Sequence, residues 1–118
     1  MKGDSRTRRT GLTTDRLLEL LTALGHPQRL RVIAGLAGGK VHVSELARRL
    51  GLSRPLLYLH LDRLEKAGLV VGELELSADG KAMKFFSLAP FDVYLNVDTI
   101  LSAFQADQTT PDLREDPE

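Results

Sequence analysis

SELARRLGLSRPLLYLHLDRLEKAG, residues 44–68, decides the fold. Ser44 is an N-cap for Glu45, Leu46, Ala47, Arg48, Arg49 and Leu50, and Gly51 stops that short helix. Ser53 then caps a second helix with Pro55 just inside its start, and Leu57, Leu61 and Leu64 give it an inward stripe that closes at Gly68. A tight turn, Gly51-Leu52-Ser53, sets the second helix across the first so that its outer face can enter a major groove. That outer face carries Arg54, Tyr58, Asp62 and Glu65 on one flank and Leu56, Leu59 or His60, and Arg63 on the other.

Working downstream, the period changes to two: Val70, Leu74 and Leu76 alternate with Val71, Glu73 and Glu75, the turn Ser77-Ala78-Asp79-Gly80 follows, and Met83 to Leu88 returns. This hairpin is a natural wing. After Pro90 a helical pattern resumes over Phe91 to Gln105, with Val93, Tyr94, Val97, Ile100, Leu101 and Phe104 as its apolar positions. Upstream, Thr13 or Thr14 caps a first helix containing Leu17, Leu18, Leu20, Leu21 and Leu24 and ending at Gly25. So many leucines exceed one core-facing stripe, which points to a subunit interface. His26-Pro27 opens another helix with Leu30, Val32, Ile33, Leu36 and Ala37 on its apolar face, ended by Gly38-Gly39, and Val41 to Val43 is a short extended piece. The expected fold is mainly helical with a small hairpin, a winged helix-turn-helix in the order α-α-α-α-β-β-α.

A chain of 118 residues suits one domain, placed at residues 12–105. Residues 1–11 form a basic tail with Lys2, Arg6, Arg8 and Arg9 against Asp4, and residues 106–118 an acidic one in which Asp107, Asp112, Glu115, Asp116 and Glu118 face Arg114. No apolar run reaches the roughly eighteen residues of a membrane span, and the basic start lacks the apolar stretch of a secretory signal. A cytoplasmic location is therefore expected. Net charge is zero, with Lys and Arg numbering 16 against 16 Asp and Glu. Lys40, Arg48, Arg49, Arg54, Arg63 and Lys66 against Glu45, Asp62 and Glu65 nevertheless leave the helix-turn-helix near +3.

The candidate DNA contacts follow from group chemistry. Arg54 can bond guanine O6 and N7 together. Ser53 and Tyr58 offer hydroxyls to phosphates or base edges, and Lys81 and Lys84 can add wing contacts. Ser44, Arg48 and Arg63 complete the polar set. No nucleophile–base spacing and no phosphate-cradling glycine loop is present, so an enzyme is not expected. The competing class is a winged helix for protein–protein contact, with Leu56 and Leu59 as an exposed apolar patch.

Four stretches together resemble the arsenical-resistance-repressor (ArsR) type of bacterial and archaeal regulator: Ala23-Leu-Gly-His-Pro-Gln-Arg-Leu-Arg-Val-Ile33, Val43-Ser-Glu-Leu-Ala47, Leu52-Ser-Arg54 running on to Leu61, and Ala67-Gly-Leu-Val70. The resemblance covers about residues 12–105. It implies a dimeric winged helix whose first and last helices form the subunit interface, here Leu17, Leu18 and Leu21 with Tyr94, Val97, Ile100, Leu101 and Phe104. It also implies binding to a double-stranded operator, often with release by a metal ion or another small effector. Carried over by position, Ser53, Arg54, Leu56, Tyr58, Leu59 and His60 fall on the DNA-facing part of the recognition helix. The chain departs from the usual pattern at Leu56, Leu59 and Asp62, where polar residues are common.

Zero cysteines remove thiolate metal sites, and the last helix holds no histidine. His26, His42 and His60 remain as metal candidates, suited to nickel, zinc or cobalt, with Asp15, Asp92 or Asp98 as partners across subunits. Each histidine also has a plain structural role open to it: His26 as a helix cap, His42 in the extended piece, and His60 as a half-buried or DNA-facing side chain.

Overall fold

The short helices of this chain are set by their caps. In the computed structural model, which describes residues 12–109, the order is α1 (Thr14–Leu24), α2 (Pro27–Gly35), β1 (Val41–His42), α3 (Val43–Leu50), α4 (Arg54–Lys66), β2 (Val70–Leu76), β3 (Ala82–Leu88) and α5 (Val97–Thr109). The expected mixture of helices and a hairpin is present with one addition. Val41 and His42 pair antiparallel with Phe86 and Phe85, so the wing is a three-stranded sheet in the order β1-β3-β2. Two residues are too few for an alternating pattern, which is why the sequence showed only an extended piece.

Among the described residues two compact units are found, one of residues 21–91, the other of residues 12–20 with 92–109. In the larger unit the core is Val32, Leu36, Leu46, Leu57, Leu61, Leu64, Leu69 and Val70, all fully buried. Burying a leucine or valine side chain of this kind stabilises by about 1.5–3 kcal/mol. Gly35 sits where α2 meets α3: a Cβ there would lie 3.0 Å from Leu46 Cδ1, so the close approach of the two helices needs the missing side chain. α2 ends at Gly35 rather than at Gly38-Gly39, because the N–H groups of Leu36, Ala37 and Gly39 tighten onto carbonyls three residues back. Leu30, expected on the apolar face of α2, is exposed.

In the smaller unit α5 begins at Val97, not at Phe91. Asn96 Oδ1 accepts the Thr99 N–H at 2.9 Å, while Thr99 Oγ1 donates to the Tyr94 carbonyl at 2.6 Å, and these bonds fix the entry of the chain into the helix. α5 runs on to Thr109, so residues 106–109, read as tail, are helical. Asp107, counted in that tail, has a structural partner: its carboxylate accepts the Thr14 N–H at 3.0 Å and the Thr14 hydroxyl at 2.5 Å. Thr13 Oγ1 accepts the Arg16 N–H at 3.2 Å, so α1 starts as its threonines predict. The basic stretch 1–11 and residues 110–118 lie outside the described residues.

Candidate nucleic-acid interface

α3 and α4 are joined by the turn the sequence calls for. Gly51 takes the left-handed conformation (φ 68, ψ 30), and Leu52 N–H closes back on the Ala47 carbonyl at 3.0 Å. Ser53 Oγ accepts the Leu56 N–H at 3.3 Å and so starts α4. The cap of α3 differs from expectation. His42, not Ser44, is its N-cap, with Nδ1 accepting the Ser44 N–H at 3.3 Å. The Ser44 hydroxyl is thereby released, and it accepts a hydrogen bond from Arg54 Nη1 at 2.9 Å. The capping exchange at α3 thus holds the guanidinium at the start of α4.

Leu57, Leu61 and Leu64 turn inward as expected. Ser53, Arg54, Leu56, Tyr58, Leu59, Asp62 and Arg63 are all exposed. His60 is the correction. Only 4% exposed, it faces the core beside the His26 ring, 4.7 Å between centroids, and Arg29 Nε donates to its Nδ1 at 3.3 Å. Position 60 lies near the Leu57-Leu61-Leu64 stripe, so helical geometry turns it away from any groove. Burial lowers the pKa of His60, and nearby His26, Arg29 and Arg63 lower it further. Arg29 also donates to the carbonyls of Thr22 and Ala23 at 3.3 and 3.4 Å, so one guanidinium joins the end of α1 to the inner side of α4. Nothing in the periodicity of the sequence marked Arg29.

The near +3 of the helix-turn-helix already includes Glu45 and Asp62, and the structure shows which cations these carboxylates hold and adds Glu75 as a partner for Lys40. Arg48 and Arg49 both donate to Glu45, at 2.5 and 2.8 Å, and hold its pKa at about 2. Lys40 pairs with Glu75, and Lys66 with Asp62 at 3.3 Å. Arg48, a predicted DNA contact, therefore carries a bound carboxylate. Arg54, Arg63, Lys81 and Lys84 have no ion-pair partner among the described residues.

The wing is tied to α4 by aromatic contact. Phe86 of β3 meets Tyr58 edge-on at 6.4 Å, and Gly72 opposite it leaves the space, since a Cβ there would lie 2.8 Å from the Phe86 ring. Lys84 Nζ sits 5.5 Å from the same ring. At the tip, Gly80 takes φ 87, and Asp79, bonded by the Ser77 hydroxyl and the Lys81 N–H, has its pKa lowered, which keeps an anion beside Lys81.

A family model described as a helix-turn-helix domain matches residues 24–73. An uncharacterised HTH-type transcriptional regulator of Methanocaldococcus jannaschii is 34% identical over 83 residues, covering 70% of this chain and 86% of that protein. The chain belongs to the helix-turn-helix transcriptional regulators. Its fold agrees with that of NolR from Sinorhizobium fredii (27% identity, TM-score 0.54, covering 77% of this chain and 82% of that one). It also agrees with a homodimeric winged helix-turn-helix DNA-binding domain from Mycobacterium bovis, described as a possible ArsR-family regulator (22% identity, TM-score 0.54, covering 80% and 81%). The winged helix-turn-helix read from the sequence is therefore the fold of this regulator, and the relative it matches is a regulator rather than an enzyme.

Two further surfaces of the regulator bear on the predicted sites. On α5, Thr99, Ala103 and Ala106 are buried, while Val97, Ile100, Leu101 and Phe104 are exposed, Val97 by 68% and Phe104 by 57%. The helix hides its small residues and shows its large ones. Leu18 and Tyr94 are exposed too and Leu21 is half-buried, but Leu17, assigned to the subunit interface, is a core residue of the single chain. The histidines do not converge. His26 and His60 adjoin, whereas His42 packs edge-on against Phe85 at 5.4 Å, and among the described residues no three potential ligands come together. Each histidine uses Nδ1 as an acceptor, from Gln28 N–H at 3.1 Å, from Ser44 N–H and from Arg29 Nε respectively for His26, His42 and His60. A neutral imidazole accepting at Nδ1 carries its proton on Nε2, so a metal at Nε2 would force that proton onto Nδ1 and break the bond. No described helix is long and apolar enough to cross a membrane.

Proposed function

We propose that this regulator works as a homodimer that reads double-stranded operator DNA sequence-specifically, with α4 of each protomer in a major groove and the wing beside it. The observation that carries the reading is the hydrogen-bonded start of α4, where Ser44 fixes the Arg54 guanidinium at the end of the helix that enters the groove first. Self-association rests on the inverted α5, whose large apolar residues need cover that a single chain does not supply. The homodimeric state of the Mycobacterium bovis domain supports this. A dimer would read two half-sites about 10–10.5 base pairs apart. Such a protein acts in the cytoplasm. We propose further that it does so without a histidine-bound nickel, zinc or cobalt ion, because all three histidines hold Nδ1 acceptor bonds; any effector would bind elsewhere.

Mobility shift on its own promoter across a salt series tests the DNA reading. Binding that weakens as salt rises is expected, with a modest slope given the few unpaired cations. No duplex binding at low salt would remove the proposal in favour of a protein-contact module. For the metal, titration of the purified dimer with nickel, zinc and cobalt should leave DNA affinity unchanged.

A further inference from the structure

The recognition helix carries more exposed hydrocarbon than the reading above uses. Leu56 is 42% exposed and Leu59 48%, and with Arg63 they occupy positions i, i+3 and i+7 along one flank of α4. The opposite flank is already engaged, Arg54 by Ser44 and Tyr58 by Phe86. The leucine flank has no such partner in the described contacts, and a leucine cannot hydrogen-bond any base edge.

On the premise that α4 enters the major groove, we infer that Leu56 and Leu59 are specificity-determining residues that select thymine through its C5-methyl group. That methyl is the apolar group a major groove offers. Against a G·C pair the same leucines would strip water from base donors and acceptors and return no bond, a cost that rejects the pair. Charge favours this occupant over a protein partner. The stripe runs into Arg63, which has no ion-pair partner among the described residues, so the apolar contact lies next to a free cation suited to a phosphate. Arg48 and Arg49, which share Glu45, and Lys40 and Lys66 are by contrast paired within the chain, which leaves base contacts a larger share of the discrimination.

The full-length chain is first used to select sites from a pool of randomised duplexes. The selected duplex is then remade with deoxyuridine replacing thymidine one position at a time, which deletes the methyl and keeps every hydrogen-bonding group. Binding should fall about three- to fivefold at the positions that face the leucines and be unchanged at other thymines. Leu56→Ala and Leu59→Ala, both at exposed positions, should keep the melting temperature and bind thymine and uracil duplexes equally. Equal binding of both duplexes by the unaltered protein would overturn the inference while leaving the DNA-reading assignment intact. Failure to select any duplex at low salt would overturn that assignment and this inference with it.

Discussion

The outer faces of α5 and α4 both expose large apolar side chains, and their composition separates their uses. On α5, Val97, Ile100, Leu101 and Phe104 repeat at helical spacing with no cation among them, while the buried side of the same helix is threonine and alanine. On α4, Leu56 and Leu59 are fewer, share their flank with Arg63, and lie on a helix whose buried side is Leu57, His60, Leu61 and Leu64. An uninterrupted apolar face beside a small-residue interior fits a second apolar face. An apolar pair sharing its flank with an unpaired arginine fits a polyanion with methyl groups in its groove. The largest expected effect breaks the first surface. In the proposed homodimer, Leu101→Asp should give a monomer by light scattering and reduce operator affinity by about a hundredfold or more, since the proposed reading engages two half-sites together. A fully active monomer would show that α5 serves another purpose.

The second surface is sharpened by Arg54→Ala, expected to weaken specific binding by about 1–3 kcal/mol with the melting temperature kept. Equal loss on every sequence would mean that Arg54 meets phosphate rather than base. Beneath the same helix, His60 makes folding sensitive to acid. Its pKa is lowered in the folded state, chiefly by burial, so the unfolded chain takes up the proton more readily. The stabilisation is complete above the unfolded histidine value of about 6.5 and is lost as pH falls from there toward the folded value. Melting temperature should therefore drop between pH 7.5 and 5.5. His60→Gln, which keeps an acceptor for Arg29 without a titrating ring, should flatten that slope; an unchanged slope would place the titration elsewhere.

A smaller effect concerns how α5 is held. Asp107 accepts two hydrogen bonds at the start of α1, so Asp107→Ala should cost about 1 kcal/mol, as for loss of an ordinary helix cap. Thermal unfolding measures it, and a null result would make the contact dispensable.

The contrast between the two faces was only partly legible in the sequence. The turn Gly51-Leu52-Ser53 and the stripe Leu57-Leu61-Leu64 were readable because glycine and cap chemistry and helical period act over a few residues. The interior position of His60 was missed because it lies at the edge of the inward stripe, where Arg29, distant in sequence, decides its surroundings. The start of α5 was misplaced although Asn96 and Thr99 carried a cap signal, since apolar spacing from Val93 onward masked it. The role of Asp107 had no local signal at all, because its partner Thr14 lies 93 residues away. Charge was legible only as a sum: the near +3 of the helix-turn-helix already included Glu45 and Asp62, but which cations they hold, and that Glu75 of β2 holds Lys40, depends on contacts the count does not contain.

Glu45 is where that pairing can be tested. Its pKa near 2, lowered first by the hydrogen bond from Arg48 and next by that from Arg49, means that it contributes above its ordinary value of 4.5 and releases the arginines only as pH falls toward 2. No pH at which DNA binding is measured reaches that window, so substitution is the way to free the guanidinium groups. Glu45→Gln removes one negative charge per protomer and leaves Arg48 and Arg49 in place on exposed positions of α3. Affinity for random-sequence duplex should rise by about two- to fivefold at low salt, the salt slope should steepen, and preference for the selected operator over random DNA should narrow, because added phosphate attraction is blind to sequence. Those shifts would mark α3 as a helix whose cations are held back by its own carboxylate, leaving discrimination to α4. Unchanged affinity and slope would mean that α3 stays clear of the phosphates, and the reading surface would then be confined to α4 and the wing.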